Sequence, residues 1–209
     1  MPGRRDIFAN GGTYHIFNKT IDNKKTFKHK NNCRAFLSRL PFYQSAKAVI
    51  SFSKFKSLPI DTQNKIKHYL SFKKYFKVEI LAYCLMPNHY HLLVKQILDK
   101  GIQKFMTDVS NSFTRFSNIK SHRKGPLFLP RFRSRSITSD EQLIHVSRYI
   151  HLNPYSAEII NNPAKLQLYD WSSYKYYITN DESSLINVRD YADYQRSLEQ
   201  IKYIDKWQI

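Results

Sequence analysis

The sequence predicts an α+β protein with one antiparallel sheet, because apolar or alternating runs are interleaved with segments of helical periodicity. The chain has 209 residues, of which 42% are hydrophobic and 15% aromatic, so it can bury a sizeable core and is not a disordered chain. Its 34 lysines and arginines outnumber 16 acidic residues, and the net charge of +18 indicates a polyanionic partner.

Composition also excludes several classes of protein. Cys33 and Cys84 are too few for a disulfide framework or a four-cysteine zinc site, and they are typical of a reduced cytoplasmic protein. The N-terminus has basic residues but no apolar stretch after them, and no apolar run is long enough to cross a membrane. No basic amphipathic helix stands out, which favours nucleic acid over a membrane surface as the partner.

The first half of the chain predicts a strand followed by helices. Residues 13–18 alternate after two glycines and are expected to form the first strand. Residues 26–45 have helical spacing, with Pro41 breaking or kinking the end of the helix. The lysine-rich residues 46–75 contain a weaker helical pattern at 61–72 and are a possible helical insertion.

The middle of the chain predicts a hairpin and a long helix. Residues 77–86 are apolar enough for a buried strand, Pro87-Asn88 is a turn signal, and residues 89–96 form a second strand. Apolar side chains then recur at helical spacing over residues 100–120.

The last elements complete a recognisable order. Residues 127–137 alternate as a strand, and a capped helix runs from about Thr138 to Asn153. Strand, helix, two strands, helix and strand match the ferredoxin-like split βαβ sandwich. We expect one domain over residues 1–162 and an aromatic-rich extension, residues 163–209, packed on it.

Two histidines in the second hairpin strand are candidate metal ligands. His89 and His91 are two residues apart, so both imidazoles point to one face of the sheet and Tyr90 points to the other. Two parallel imidazoles can hold a divalent metal when a third ligand joins them. Taken alone, this pair is more often explained by ordinary packing or exposure.

The final helix offers a possible nucleophile. Tyr149 and Asn153 share one helical face with His145, away from the apolar stripe. A metal beside a phenol favours its ionised form, and an amide oxygen is a suitable hard ligand. His145 can assist proton transfer or simply pack. Spacing alone leaves the alternative that Tyr149 is partly buried and Asn153 caps the helix.

A cluster of basic residues marks a candidate surface for nucleic acid. It runs through the second long helix and the strand after it. In the strand, three arginines alternate on one face, where their mutual repulsion calls for an anion such as phosphate. The cluster comprises Arg115, Lys120, Arg123, Lys124, Arg131, Arg133 and Arg135.

Four segments together resemble one family. MPNHYHLLV at 86–94 resembles the HUH motif of single-tyrosine transposases, in which two histidines flank one residue. GPLFLPRFR at 125–133 and SRYIHLNP at 147–154 closely resemble the REP-associated tyrosine transposase branch, and WSSY at 171–174 resembles its tail. The matches keep the family's order and cover about residues 11–175.

The resemblance implies a fold, a reaction and a site. It places the HUH motif on a central strand and the nucleophile on the helix after the last strand. Such enzymes cut single-stranded DNA near small hairpins and rejoin it through a 5′-phosphotyrosine and a free 3′-OH. By resemblance, His89 and His91 bind Mg²⁺ or Mn²⁺, Tyr149 is the nucleophile, and Asn153 is the third ligand.

Some departures and alternatives remain open. Tyr90 stands where the family often has an aliphatic residue, and its opposite orientation indicates packing. A domesticated hairpin-binding protein without cleavage would have the same charge and aromatic content. A replication or conjugation nickase is a further alternative, although such enzymes usually carry partner domains. The resemblance is compatible with a monomer or a homodimer.

Overall fold

A computed structural model of the chain describes residues 7–179. Its core is a four-stranded sheet of order β2-β3-β1-β4 in which all neighbours are antiparallel. Since β1 and β2 both run opposite to β3 between them, they are parallel to each other, as the predicted split βαβ arrangement requires. The strands are β1 (Thr13–Lys19), β2 (Val78–Met86), β3 (His89–Gln96) and β4 (Arg133–Ile137).

Helices connect and follow the strands. They are α1 (Lys30–Leu37), α2 (Arg39–Gln44), α3 (Phe52–Lys56) and α4 (Ile60–Leu70) before β2, α5 (Gly101–Lys120) before β4, then α6 (Asp140–Ser156) and α7 (Tyr174–Thr179). Short 3₁₀ segments lie at Ile21–Asn23, Thr26–Lys28, Lys73–Tyr75 and Pro163–Leu168. None of the helices within residues 7–179 has the length and apolar character to span a bilayer.

The two faces of the sheet have different coverings. Tyr90 is fully buried on one face, where its ring lies 4.9 Å from Phe36 of α1. Phe36 in turn packs 5.3 Å from Phe113 of α5, so α1 and α5 cover this face. Tyr90 is therefore a packing residue, as its position between the two histidines predicts. His89 and His91 point to the opposite face, on the side of α6.

The predicted helix over residues 26–45 is two helices in the structure, divided at Ser38. The division places Pro41 in the first turn of α2, where a missing N–H costs no hydrogen bond within the helix. Pro41 therefore lies near the start of α2 and does not end it. The weak helical pattern at 61–72 corresponds to α4.

The predicted strand over residues 127–137 is too long. Pairing with β1 extends only over β4, and Phe128 forms an isolated bridge with Thr20. Pro130 lies between these two pairings and has no N–H to donate to a ladder, which is consistent with the interruption.

The expected end of α6 at Asn153 is also wrong, because the helix continues through Pro154 to Ser156. Pro154 cannot donate to the carbonyl of Ile150, and the side-chain amide of Asn153 approaches that oxygen at 3.4 Å. Asn153 is thus inside the helix and does not cap it.

Part of the C-terminal extension pairs with the outer edge of β2. The N–H of Leu85 donates to the carbonyl of Trp171, and the N–H of Ser173 donates to the carbonyl of Tyr83. The hydroxyl of Tyr169 donates to the carbonyl of Leu85. These bonds protect an edge strand that would otherwise expose its backbone groups.

The contacts described for the extension come from residues 163–179. Residues 180–209 lie outside the described residues.

Ser173 connects the extension to both β2 and α6. Its Oγ accepts from the N–H of Tyr83 at 2.9 Å and lies 2.6 Å from Nε2 of the buried His151. We expect Ser173→Ala to lower the free energy of unfolding by about 1–3 kcal/mol, because buried polar groups lose their partner. Urea denaturation checks this, with exposed Ser156→Ala as the matched control. Equal stability of the two variants would contradict it.

Candidate functional site

A cavity of about 280 Å³ opens on the α6 side of the sheet. Strand register explains its composition: Phe17 of β1 pairs with His91 on one side and Arg133 on the other, so all three side chains share a face. Strand β1, its two neighbours β3 and β4, and helix α6 thus contribute to one site. The lining residues are Phe17, Asn18, Lys19, His89, His91, Leu129, Arg133 and Tyr149.

The two predicted ligand histidines keep one ring nitrogen available. Their ring centroids are 5.0 Å apart. Nδ1 of His89 lies 2.7 Å from Oδ1 of Asn88, and Nδ1 of His91 lies 2.9 Å from Nε2 of His15. Nε2 of His91 is buried without a hydrogen-bond partner in the described residues. A buried imidazole nitrogen left in this way fits a metal ligand.

His15 is a site residue that the sequence did not single out. It is buried on β1, with its ring 5.1 Å from that of His91 and 5.9 Å from that of Tyr149. In the sequence, the alternation of His15 with Phe17 indicates a strand but does not indicate a site. The contact with His91 depends on pairing between positions 76 residues apart, which the sequence pattern does not specify.

Burial keeps the three imidazoles neutral. It lowers the pKa of His15 to about 4, with a further contribution from Arg135. It lowers the pKa of His91 to about 2, assisted by His15 and His89. The pKa of His89 is also lowered, first by burial and then by Lys19. Neutral imidazole is the form that binds a cation, so these shifts favour metal binding near neutral pH.

Tyr149 faces the same cavity from α6. Its ring meets the rings of His15 and His91 edge-on, at 5.9 and 5.7 Å between centroids, and the side chain is 41% exposed. The opposite side of α6 is anchored by buried Ile150 and His151. The helix therefore holds the phenol beside the histidines while leaving it accessible to a ligand.

The other two predicted residues of α6 do not line the cavity. The amide nitrogen of Asn153 donates to the carbonyl of Tyr149 at 2.7 Å. His145 is exposed one turn before Tyr149. The structure thus unites Tyr149 with the histidine pair but does not place Asn153 or His145 among them.

Among the described residues, no carboxylate or thiolate side chain lines the cavity beside the two histidines. Across residues 7–179, no group of three or more His, Cys, Asp or Glu side chains could hold a metal ion. A cation held by His89 and His91 would therefore need ligands of another kind, such as an amide, water or phosphate oxygen.

Of the predicted basic residues, those nearest the site come from β4, and Lys19 of β1 also lines the cavity. Arg133 lines the cavity, and Arg135 is close enough to His15 to lower its pKa. The expectation that Arg131 joins them in one strand row is wrong, because β4 begins only at Arg133. Two arginines, not three, therefore share the face of the histidines.

The remaining predicted basic residues lie elsewhere. Arg115 and Lys120 are exposed on α5, which covers the Tyr90 face, and Arg123 and Lys124 follow that helix. The predicted basic cluster is therefore divided between the two sides of the sheet.

Comparisons with known proteins agree with this architecture. The family model described as "Transposase IS200 like" matches residues 50–153, about half of the chain. The fold is similar to that of a REP-associated tyrosine transposase bound to a REP hairpin. That match has a TM-score of 0.59 and 14% identity, and it covers 92% of this chain and 94% of the other.

A second solved structure, described as a transposase from Deinococcus radiodurans, matches with a TM-score of 0.37 and 14% identity. The match covers 72% of this chain and 95% of the other. A search of curated protein sequences finds no significant match.

The buried histidines should make stability depend on pH. Below their ordinary pKa of 6.5, histidines in the unfolded chain take up protons, whereas His15 stays neutral in the fold down to about pH 4 and His151 to about pH 3. The unfolded state then binds more protons, so stability is full above pH 6.5 and falls as the pH is lowered. We expect a loss on the order of a few kcal/mol between pH 7 and 4.5.

Urea denaturation in the presence of a chelator measures this loss. His15→Gln should show a smaller decrease than the wild type, because one buried imidazole has been removed. His145→Gln, which changes an exposed histidine, is the control and should keep the full decrease. Identical pH dependence in His15→Gln and wild type would contradict the assignment.

Proposed function

Because the chain belongs to the IS200-like transposase family, we propose that it is a DNA transposase that cleaves and rejoins single-stranded DNA at hairpin-bearing, REP-like sequences. The observation that supports this most directly is the accessible Tyr149 phenol beside the histidine pair. The hairpin carried by the structural relative supports the choice of DNA partner.

Tyr149 supplies the nucleophile in this proposal. Its Oη attacks the scissile phosphorus as the phenolic proton is lost, the bond from phosphorus to the 3′ oxygen breaks, and that oxygen gains a proton. The products are a 5′-phosphotyrosine and a free 3′-OH. Attack by a 3′-OH on the phosphotyrosine reverses the step and joins a new strand, so no nucleotide hydrolysis is required.

His89 and His91 would hold a divalent cation, Mg²⁺ or Mn²⁺, through their Nε2 atoms. When bound, the cation would act as a Lewis acid that polarises the phosphate and stabilises the phenolate. Imidazole is an accepted ligand of Mn²⁺, whereas Mg²⁺ favours oxygen, so the two histidines need oxygen ligands beside them. Asn153 is the proposed protein source of one.

His15 would position His91. If His15 accepts at Nε2, then Nδ1 of His91 carries the hydrogen and Nε2 of His91 keeps its lone pair for the cation. The opposite tautomer would place a hydrogen on Nε2 of His91 and prevent coordination. His15 thus acts through His91 and does not touch the reacting atoms.

The surroundings support the assignment of roles. Tyr90 is fully buried behind the sheet, whereas Tyr149 lines the cavity, which supports Tyr149 as the nucleophile. Arg133 and Arg135 share the face of the histidines and would neutralise DNA phosphates. Tyr149 faces His91 of the same chain, so one chain can supply the site whether the protein is a monomer or a homodimer.

Tyr149→Phe should abolish formation of the covalent protein–DNA adduct, by ~10³-fold or more, because the attacking oxygen is removed. The measurement uses an end-labelled, hairpin-bearing strand with Mg²⁺ or Mn²⁺ and denaturing gels. Tyr90→Phe is the matched control and should retain the adduct. If Tyr149→Phe forms the adduct at the wild-type rate, another group is the nucleophile.

His15→Phe should weaken Mn²⁺ binding by about 10- to 100-fold, since His91 loses the partner that fixes its tautomer. His15→Gln retains an acceptor oxygen and should lose less. Calorimetry gives the affinity without DNA, and ¹⁵N shifts report the tautomer of His91. Wild-type affinity and an unchanged tautomer in His15→Phe would exclude the positioning role.

The same titration tests the proposed third ligand. Asn153→Ala should weaken Mn²⁺ binding by about tenfold or more if its amide oxygen coordinates the cation. His145→Gln serves as the control on the same helix. Wild-type affinity in Asn153→Ala would remove this residue from the ligand set.

A further inference from the structure

A second cavity lies on the far side of the sheet from Tyr149. It has a volume of about 360 Å³ and is bordered by α2, α5 and the segment around α3. The polar residues in its lining include Arg39 of α2, Ser51, Ser53, and Ser112 and Arg115 of α5. None of these residues takes part in the proposed cleavage site.

Arg39 gives this cavity an unusual charge. The side chain is only 5% exposed, yet its Nε donates to Oγ of Ser112 at 3.0 Å and another guanidinium nitrogen donates to the carbonyl of Ala35. The rings of Phe52 and Phe116 lie 4.7 and 5.0 Å from the guanidinium carbon. Within residues 7–179, the ion pair found joins Lys77 to Asp108 and does not involve Arg39.

A cation removed from water in this way calls for an anion. Aromatic rings and neutral acceptors offset part of the desolvation, but buried arginines are usually matched by a carboxylate or phosphate. Burial lowers the pKa of Arg39 to about 10, so the guanidinium remains charged at neutral pH.

The other charged groups around the cavity do not supply that anion. Asp108 lines it, but its carboxylate pairs with Nζ of Lys77 at 2.8 Å. Arg115 and Lys120 also line the cavity and add positive charge. The balance facing the cavity is therefore positive.

The shape of the neighbouring surface indicates a long ligand. Arg115 also lines an open groove, about 820 Å³ in volume, that continues along α5 to Arg123 and Lys124. From Asn111 to Ile119 the groove follows the surface of α5 over roughly 12 Å, enough for more than one phosphate of a nucleic-acid backbone. A small phosphate compound would leave the basic groove unused.

We propose that the Arg39 cavity binds a backbone phosphodiester of DNA, with the adjoining strand following the basic groove along α5. This inference rests on the proposed function and adds a second DNA contact remote from the cleaved bond. Phosphate contacts of this kind position a nucleic acid without reading its sequence. The cavity would thus hold DNA in place while Tyr149 acts on the other side of the sheet.

The most direct test is a variant that supplies Arg39 with an anionic partner from the protein itself. Ser112→Asp places a carboxylate at the position that now accepts from Nε of Arg39, so the fold should be retained while phosphate is excluded. Asn64→Asp on α4 makes the same charge change outside the cavity and is the matched control. Thermal melting verifies that both variants fold.

Binding is measured by fluorescence anisotropy in EDTA, so cleavage does not contribute. We expect Ser112→Asp to bind a hairpin with a single-stranded tail about tenfold more weakly than the wild type, with a salt-dependence slope smaller by about one. Asn64→Asp should change affinity less than about twofold. Equal affinity of the two folded variants would overturn the proposal.

Two further DNA ligands identify the source of the phosphate. If the stem supplies it, Ser112→Asp weakens binding of a tail-less hairpin and not of an unstructured strand; if the single strand supplies it, the reverse holds. Either result supports the cavity. If Ser112→Asp weakens binding of neither DNA, and the cavity binds inorganic phosphate alone, the assignment to DNA is overturned.

A change made in the DNA provides a second test that does not depend on Ser112→Asp. Hairpins carrying one neutral methylphosphonate at successive positions are bound to the wild type and to Arg115→Gln. At one position the substitution should weaken wild-type binding severalfold, and the effect should shrink in Arg115→Gln. Uniform small losses at every position would overturn a discrete phosphate site. Failure of the adduct assay for Tyr149 would leave these binding results standing.

Discussion

The register of β1 between β3 and β4 is the constraint on which the site depends. Pairing of Phe17 with both His91 and Arg133 places imidazole, aromatic and basic side chains on one face. A slip of one residue on β1 would turn His15 away from His91 and bring Ile16 to the cavity. The buried, apolar Tyr90 face opposes such a slip, because it would expose core residues of the central strands.

The position of Tyr149 has a separate physical origin. No strand pairing determines it; α6 is instead anchored from behind, where His151 meets Ser173 of the C-terminal extension. Ser173 is bonded to Tyr83 of β2 in turn, so the extension, the edge strand and the helix form one connected unit. Packing far from the cavity therefore determines how the phenol approaches the histidines.

Sequence periodicity predicted the succession of strands and helices along the chain, the common face of His89 and His91 and the packing role of Tyr90, because these follow from patterns within single elements. It could not identify His15, whose importance comes from register between distant segments. It also failed where one residue changes local hydrogen bonding: Pro130 delays β4, and Pro154 is accommodated within α6. Tertiary pairing and side-chain compensation decide such details, and periodicity does not contain them.

The division of basic residues between two sides of the sheet constrains how the proposed DNA ligand would be held. Arg133 and Arg135 lie beside the histidines, whereas Arg115 lies on α5, across the sheet. The chain from the end of α5 to β4 joins the two surfaces, and β4 is an edge strand, so a bound polyanion can pass around that edge without crossing the core. A hairpin with a flexible tail meets this requirement, because its rigid stem and its pliable single strand can occupy different faces. An unbranched duplex of the same length would have to bend around the edge, which costs roughly 1–6 kcal/mol by elastic estimates.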